Sequence, residues 1–168
     1  MPNHTVLFTG FGPFHGHSVN ASWEAVQLVP SQNIENVDVI IEEIPVVYNI
    51  VDRTVPQLWE KYKPTLVIHV GVSSEARRIT IESQAFRHGY SQSDCLGNQH
   101  QTNEVCSAVE AADYSQRTLF VHVPPLNEPY TADEIATALA VIAKCALEQL
   151  TISNKLVLVQ FHELRLIY

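Results

Sequence analysis

The chain alternates short apolar, β-branched runs with segments of helical periodicity, and most of the apolar runs stop at a glycine or a proline. Strands are predicted over residues 5–9, 37–44, 66–70, 78–81 and 118–123. Helices are predicted from Ser22, as N-cap, to Val29, and over residues 50–62, 102–112 and 133–150. This order predicts an α/β fold: a mostly parallel twisted sheet with helices on both faces, an α/β/α sandwich.

A length of 168 residues suits a single domain that spans residues 1–168. The tail, residues 151–168, is atypical because its run 156–161 resembles one more strand. In parallel sheets, ligands bind beyond the carboxyl ends of the strands. The segments that follow predicted strands, residues 10–14, 45–48, 71–74 and 122–124, are therefore the places to look for a site.

The charge and composition of the chain limit the classes of partner that it can bind. The formal net charge is −8, which disfavours nucleic acid because an acidic surface repels phosphate. No apolar run approaches the length of a membrane span, and the first residues lack the pattern of a secretory signal. We therefore expect a protein of the cytosol that binds neither nucleic acid nor membrane.

The cysteines form an odd and widely spaced set: Cys95, Cys106 and Cys145. A disulfide framework is not expected in a reducing compartment, although one reactive thiol remains possible. Cys95, His100 and Cys106 have irregular spacing without a Cys-x-x-Cys pair, so no zinc site is predicted. Cys106 follows the start of a predicted helix, where backbone N–H groups stabilise a thiolate.

A turn rich in glycine follows the first predicted strand and presents two phenyl rings, Phe11 and Phe14. A rigid aromatic pair at a strand end suits a flat apolar ring as ligand. The alternative is that both rings pack into the core.

His122 and Glu82 are the candidate catalytic side chains. His122 ends an apolar strand and could act as a base, or it could be a hydrogen-bonded, half-buried histidine. Glu82 follows the β-branched run 79–81, which could place its carboxylate at the end of the sheet, although most such glutamates are solvated.

Several motifs in order resemble the pyroglutamyl-peptidase I family. The similar segments are Thr9-Gly10-Phe11-Gly12-Pro13-Phe14, Val19-Asn20-Ala21-Ser22-Trp23, Ile44-Pro45-Val46-Val47-Tyr48, Leu58-Trp59-Glu60-Lys61, His69-Val70-Gly71-Val72-Ser73 and Phe120-Val121-His122-Val123-Pro124-Pro125-Leu126, followed by Pro129-Tyr130 and Ala132-Asp133. The resemblance covers roughly residues 5–90 and 118–150, and a set of motifs in one order is far more specific than any single one.

The resemblance implies a cysteine omega-peptidase that removes N-terminal pyroglutamate from peptides, with no metal or cofactor. It places the histidine of the catalytic triad at His122 and its acid at Glu82. It implies that Phe11 and Phe14 enclose the lactam ring, with Asn20 at the same pocket.

The family's nucleophile motif, Tyr-Leu-Cys after a further strand, has no counterpart here, because Glu82 and His122 are only 40 residues apart. Cys106, sixteen positions before His122, is the nearest candidate nucleophile. Two interpretations stay open: a peptidase that uses Cys106, Glu82 and His122, or a catalytically inactive relative or truncated isoform that keeps the pyroglutamyl pocket.

Overall fold

The computed structural model describes residues 3–14, 16, 18–82, 93–99 and 116–153. The predicted helix 102–112, with Cys106, and the predicted tail strand 156–161 lie outside the described residues.

The described part of the chain contains a five-stranded sheet. Its strands are β1 (His4–Phe11), β2 (Val37–Ile44), β3 (Leu66–Val72), β4 (Thr80–Glu82) and β5 (Thr118–Val123). The order across the sheet is β2-β1-β3-β5-β4, and only the edge strand β4 runs antiparallel, against β5. This order confirms the predicted α/β fold with a mostly parallel sheet. Apolar, β-branched strands that are buried on both faces favour such a sheet.

The helices in the described part of the chain are α1 (Ala21–Val26), α2 (Tyr48–Tyr62) and α3 (Ala132–Ser153), and a 3-10 helix covers Val29–Gln32. The prediction of Ser22 as N-cap of α1 is wrong. Asn20 is the N-cap and accepts the N–H of Ser22 at 3.0 Å, whereas the Ser22 hydroxyl accepts the N–H of Phe11. Helix α2 begins two residues before its predicted start and continues through Pro56.

Helices α1 and α3 pack on one face of the sheet and α2 packs on the other. On the α1/α3 face, side chains such as Val6, Phe8, Ile68 and Leu139 form the larger core cluster. On the α2 face, Leu7 and its neighbours form a smaller one.

By length and composition, α3 could cross a membrane, contrary to the expectation that no apolar run approaches that length. Seven of its residues, among them Ile135 and Leu139, are nevertheless buried in the α1/α3 core. The core helix of an α/β domain has the same composition, so this feature alone does not place the chain in a membrane.

Candidate active site

Strand register places a row of polar side chains on the α2 face. Thr9 pairs with His69, which pairs with Phe120, and Phe120 pairs with Glu82. His122 lies two residues beyond Phe120, so its side chain projects from the same face. Buried polar side chains therefore lie on four neighbouring strands of this face: Thr9 on β1, His69 on β3, His122 on β5 and Glu82 on β4.

The Glu82 carboxylate and the His122 imidazole form a buried hydrogen bond, with Oε1 of Glu82 2.5 Å from Nδ1 of His122. Both residues are about 6% exposed. A carboxylate oxygen can only accept, so Nδ1 carries the proton and donates it. Nε2 of the neutral ring is then free to accept a proton from a nucleophile, which is the arrangement that a general base needs.

The other oxygen of Glu82, Oε2, is buried and has no hydrogen-bond partner among the described residues. Buried carboxylate oxygens are normally satisfied, so this atom can take one further donor. Oε1 therefore orients His122, and Oε2 can accept a hydrogen bond from one further donor.

Asn20 holds the glycine-rich turn that carries Phe11 and Phe14. Its side-chain amide donates to the carbonyl of Gly12 at 2.9 Å, and its Oδ1 accepts from both the N–H and the hydroxyl of Ser22. At Gly10, an added Cβ would lie 2.7 Å from the Cα of Trp23, so only glycine lets α1 approach β1 this closely. The turn is thereby fixed to the N-terminus of α1.

A pocket opens at the carboxyl ends of β1, β2 and β3. It is lined by Phe11, Phe14, Asn20, Val46, Gly71 and Val72. The space within it, including its opening to solvent, is about 220 Å³. The structure therefore brings together the three residues that the sequence predicted for binding.

Gly71 joins this pocket to the Glu82–His122 pair. It lines the pocket and is paired in register with His122. An added Cβ there would lie 3.6 Å from Cδ2 of His122 and 2.8 Å from Cζ of Phe120. The absent side chain leaves His122 adjacent to the pocket, and the clash with the Phe120 ring would penalise any larger residue.

Two cysteines are described, Cys95 and Cys145, and both are free and exposed. The Cys95 N–H donates to the carbonyl of Val46 at 3.0 Å, which places residue 95 beside the pocket wall. Cys145 lies on α3, on the opposite face of the sheet from His122. Cys106 is outside the described residues, so its role stays a prediction.

His69 is a second buried histidine on the α2 face, and sequence reasoning assigned it no role. Its Nδ1 lies 2.7 Å from Oγ1 of Thr9, and burial lowers its pKa to about 4. His69 is therefore neutral at physiological pH. In sequence it looks like His122, a histidine in an apolar strand, and only the register separates the one beside Glu82 from the one beside Thr9.

Among the described ranges, no group of three or more His, Cys, Asp or Glu side chains could hold a metal ion. The prediction that the chain needs no metal stays a prediction. The described residues that can do chemistry are the imidazole, its carboxylate and the apolar pocket beside them.

Comparison with known proteins places this geometry in context. The sequence profile of the family described as pyroglutamyl peptidase matches residues 4–119. Pyroglutamyl-peptidase 1 of Homo sapiens is 36% identical over 194 residues, which cover 89% of this chain and 93% of the human one. Pyroglutamyl peptidase I of Bacillus amyloliquefaciens has a TM-score of 0.74 at 22% identity, covering 87% of this chain and 98% of that one. Pyrrolidone carboxyl peptidase of Thermococcus litoralis has a TM-score of 0.77 at 18% identity, with 94% and 100% covered.

The human alignment also contains a length difference. It runs over 194 positions, whereas 89% of the 168 residues of this chain is about 150, so about 44 aligned positions of the human protein have no partner here. The short spacing of 40 residues between Glu82 and His122 predicts that the missing positions fall between them.

Proposed function

The chain belongs to the pyroglutamyl peptidase family, and from that premise we propose that it hydrolyses the amide bond that follows an N-terminal pyroglutamate in peptides. The observation that carries the proposal is the Glu82–His122 pair, which is buried and hydrogen-bonded beside a small apolar pocket. Family membership supplies the substrate class, and the described residues supply an oriented base and a place for the lactam ring.

In this proposal, Phe11 and Phe14 bind the two faces of the lactam, and Asn20 keeps their turn in place. Nε2 of His122 takes the proton of a cysteine thiol, and the thiolate attacks the carbonyl carbon of the scissile amide. The imidazolium then returns that proton to the leaving amine, and water hydrolyses the thioester. Glu82 holds the ring and stabilises the imidazolium through Nδ1–H.

We assign the nucleophile to Cys106, the nearest candidate before His122 in the sequence, and the site of action to the cytosol, as expected for a reduced thiol. The assignment is testable because the chain has only three cysteines. Each can be replaced in turn, with the other two serving as matched controls.

The experiment is release of a fluorophore from a pyroglutamyl amide by wild type and by Cys106→Ala, Cys95→Ala, Cys145→Ala and His122→Ala. Cys106→Ala and His122→Ala are expected to reduce turnover by at least about a thousandfold, since both remove a group of the reacting triad. Cys145→Ala is expected to retain the wild-type rate. Activity lost in Cys95→Ala and retained in Cys106→Ala would transfer the nucleophile to residue 95.

A second candidate function is favoured by the length difference of about 44 aligned positions from the human relative. If the missing positions include the nucleophile motif, the chain binds pyroglutamyl peptides without cleaving them. Binding of pyroglutamide, measured by calorimetry on a wild type that shows no turnover, would establish this function in place of hydrolysis. A folded wild type that shows no turnover and binds no pyroglutamide would contradict both candidates.

A further inference from the structure

Residues 93–98 form a loop that docks beside the pocket, although the residues around Asp94 are exposed. Asp94 itself is only 8% exposed. The N–H of its neighbour Cys95 donates to the carbonyl of Val46, whose side chain lines the pocket. The loop therefore contacts the pocket wall through a backbone hydrogen bond.

The two carboxylate oxygens of Asp94 have different partners. Oδ1 accepts the N–H groups of Leu96 at 3.0 Å and Asn98 at 2.8 Å, which closes the loop on itself. Oδ2 accepts the N–H of Tyr48 at 3.3 Å and the side-chain amide of Asn98 at 3.4 Å. One half of the carboxylate thus serves the loop, and the other half reaches a residue 46 positions away.

Tyr48 is the first residue of α2, and the N-cap residue Val47 offers no side-chain hydrogen bond of its own. Free N–H groups at a helix start need an acceptor, and an anion there also interacts favourably with the helix dipole. Asp94 supplies that acceptor from a separate loop. Burial opposes its ionisation, but the hydrogen bonds from Asn98, Leu96 and Tyr48 outweigh it and hold the pKa of Asp94 below its ordinary value.

Residues 45–47 link the end of β2 at Ile44 to the start of α2 at Tyr48, and Val46 lies in the middle of this link. The loop bonds the carbonyl of Val46 through Cys95 and the N–H of Tyr48 through Asp94. We propose that Asp94 is a positioning residue for substrate: it holds the link so that Val46 closes one wall of the lactam pocket. This inference rests on the proposed function, since it assigns to Asp94 the affinity of the same pocket.

Asp94→Asn separates the two halves of the carboxylate. The asparagine oxygen still accepts from Leu96 and Asn98, so the local turn is kept. Its amide replaces Oδ2 and points a donor at the N–H of Tyr48, which cuts the connection to α2 together with the 3.4 Å contact from the side-chain amide of Asn98.

Tyr48→Pro removes the same hydrogen bond from the opposite side. Proline is favoured at the first position of a helix, and the extended Val47 (φ −136°, ψ 116°) is compatible with a following proline. Tyr48→Ala is the matched control, because it removes the same side chain and keeps the N–H.

The readout is the Kd of pyroglutamide for the folded protein, measured by calorimetry next to the free energy of unfolding. Asp94→Asn and Tyr48→Pro are each expected to weaken binding by about tenfold, as expected for loss of one charge-assisted hydrogen bond. Tyr48→Ala should stay within about twofold of wild type. The double variant Asp94→Asn/Tyr48→Pro should be no weaker than the weaker single variant, because both remove one interaction.

A purely structural clamp would lower the free energy of unfolding and leave the Kd of the folded protein unchanged, and that result would overturn the inference. If the wild type binds pyroglutamide and the Kd values of Tyr48→Pro and Tyr48→Ala are equal, the inference is overturned as well, even if Asp94→Asn does not fold. A folded wild type that binds no pyroglutamide would overturn the proposed pocket, and this inference with it.

Discussion

The two faces of the sheet are built from the same five strands but differ in chemistry. On the α1/α3 face, 21 buried side chains in the described part of the chain form one apolar cluster. On the α2 face, the apolar cluster has seven buried side chains, and Thr9, His69, Gly71, Glu82 and His122 occupy the remaining buried positions of the described strands. Alternation along each strand lets a single sheet assign stability to one face and reactive groups to the other.

The largest effect that would sharpen this contrast is expected at Glu82. In Glu82→Gln an amide replaces the acceptor of the His122 Nδ1 proton, which disfavours the productive tautomer. We expect kcat with a pyroglutamyl amide to fall about a thousandfold, with the free energy of unfolding changed by less than about 1 kcal/mol. Glu75→Gln, at an exposed carboxylate, is the control and should retain full activity.

On the opposite face, Leu139→Ala should cost stability and leave the site intact. Leu139 is fully buried in the α1/α3 cluster, so its truncation leaves a cavity. The free energy of unfolding, measured in urea, should fall by about 2 to 5 kcal/mol. Val141→Ala on the same helix, at a residue 53% exposed, should change it by less than about 0.5 kcal/mol. A change in the KM of Leu139→Ala at a temperature where it is folded would contradict the division of labour.

His69 should give the α2 face a pH dependence of stability that the other face lacks. Its pKa is lowered by burial from 6.5 to about 4, so between these values the unfolded chain binds a proton that the folded chain does not. Its contribution is complete above pH 6.5 and is lost as the pH falls towards 4, by up to about 3 kcal/mol. In His69→Asn, which keeps an acceptor near Thr9, the decline of unfolding free energy over this range should be smaller by that amount. Equal slopes in the two proteins would refute the assignment.

The smallest effect concerns Asn20, where the two faces meet at the start of α1. Asn20→Ala loses both the helix cap and the bond to the Gly12 carbonyl, and the free energy of unfolding should fall by about 1 to 2 kcal/mol. Asn20→Asp keeps the cap and loses only the donor to Gly12. It should therefore be more stable than Asn20→Ala, while its pyroglutamide affinity falls to a similar extent. A full wild-type affinity in Asn20→Asp would mean that the turn needs no donor from this residue.

The sequence predicted those features that depend on local pattern. β-Branched runs identified all five described strands, and the bounds of β2 and β5 agree with the predicted ones. Glu82 and His122 were found because their motifs resemble those of a known family, and the structure brings them into contact.

Features that depend on distant contacts were not predicted. Asp94 stands in a polar stretch that reads as an ordinary loop, and its partner Tyr48 is 46 positions away. Serine and asparagine are both good N-caps, so the sequence does not distinguish Ser22 from Asn20 as the cap of α1. Only the fold shows that the Ser22 hydroxyl accepts the N–H of Phe11 instead. His69 differs from His122 only in its neighbours across the sheet.

The direct pairing of β3 with β5, and of β5 with β4, has a consequence for how the chain can change in length. Glu82 ends β4 and Thr118 begins β5, and because these two strands are antiparallel, both residues lie at the same end of the strands. The ladder that joins Glu82 to His122 thus makes no demand on the number of residues in the connection between them. Doubling the length of a flexible connection adds only about 0.6 kcal/mol of closure entropy. Insertions and deletions in this connection can therefore add or remove functional segments during evolution while the acid and the histidine stay in register.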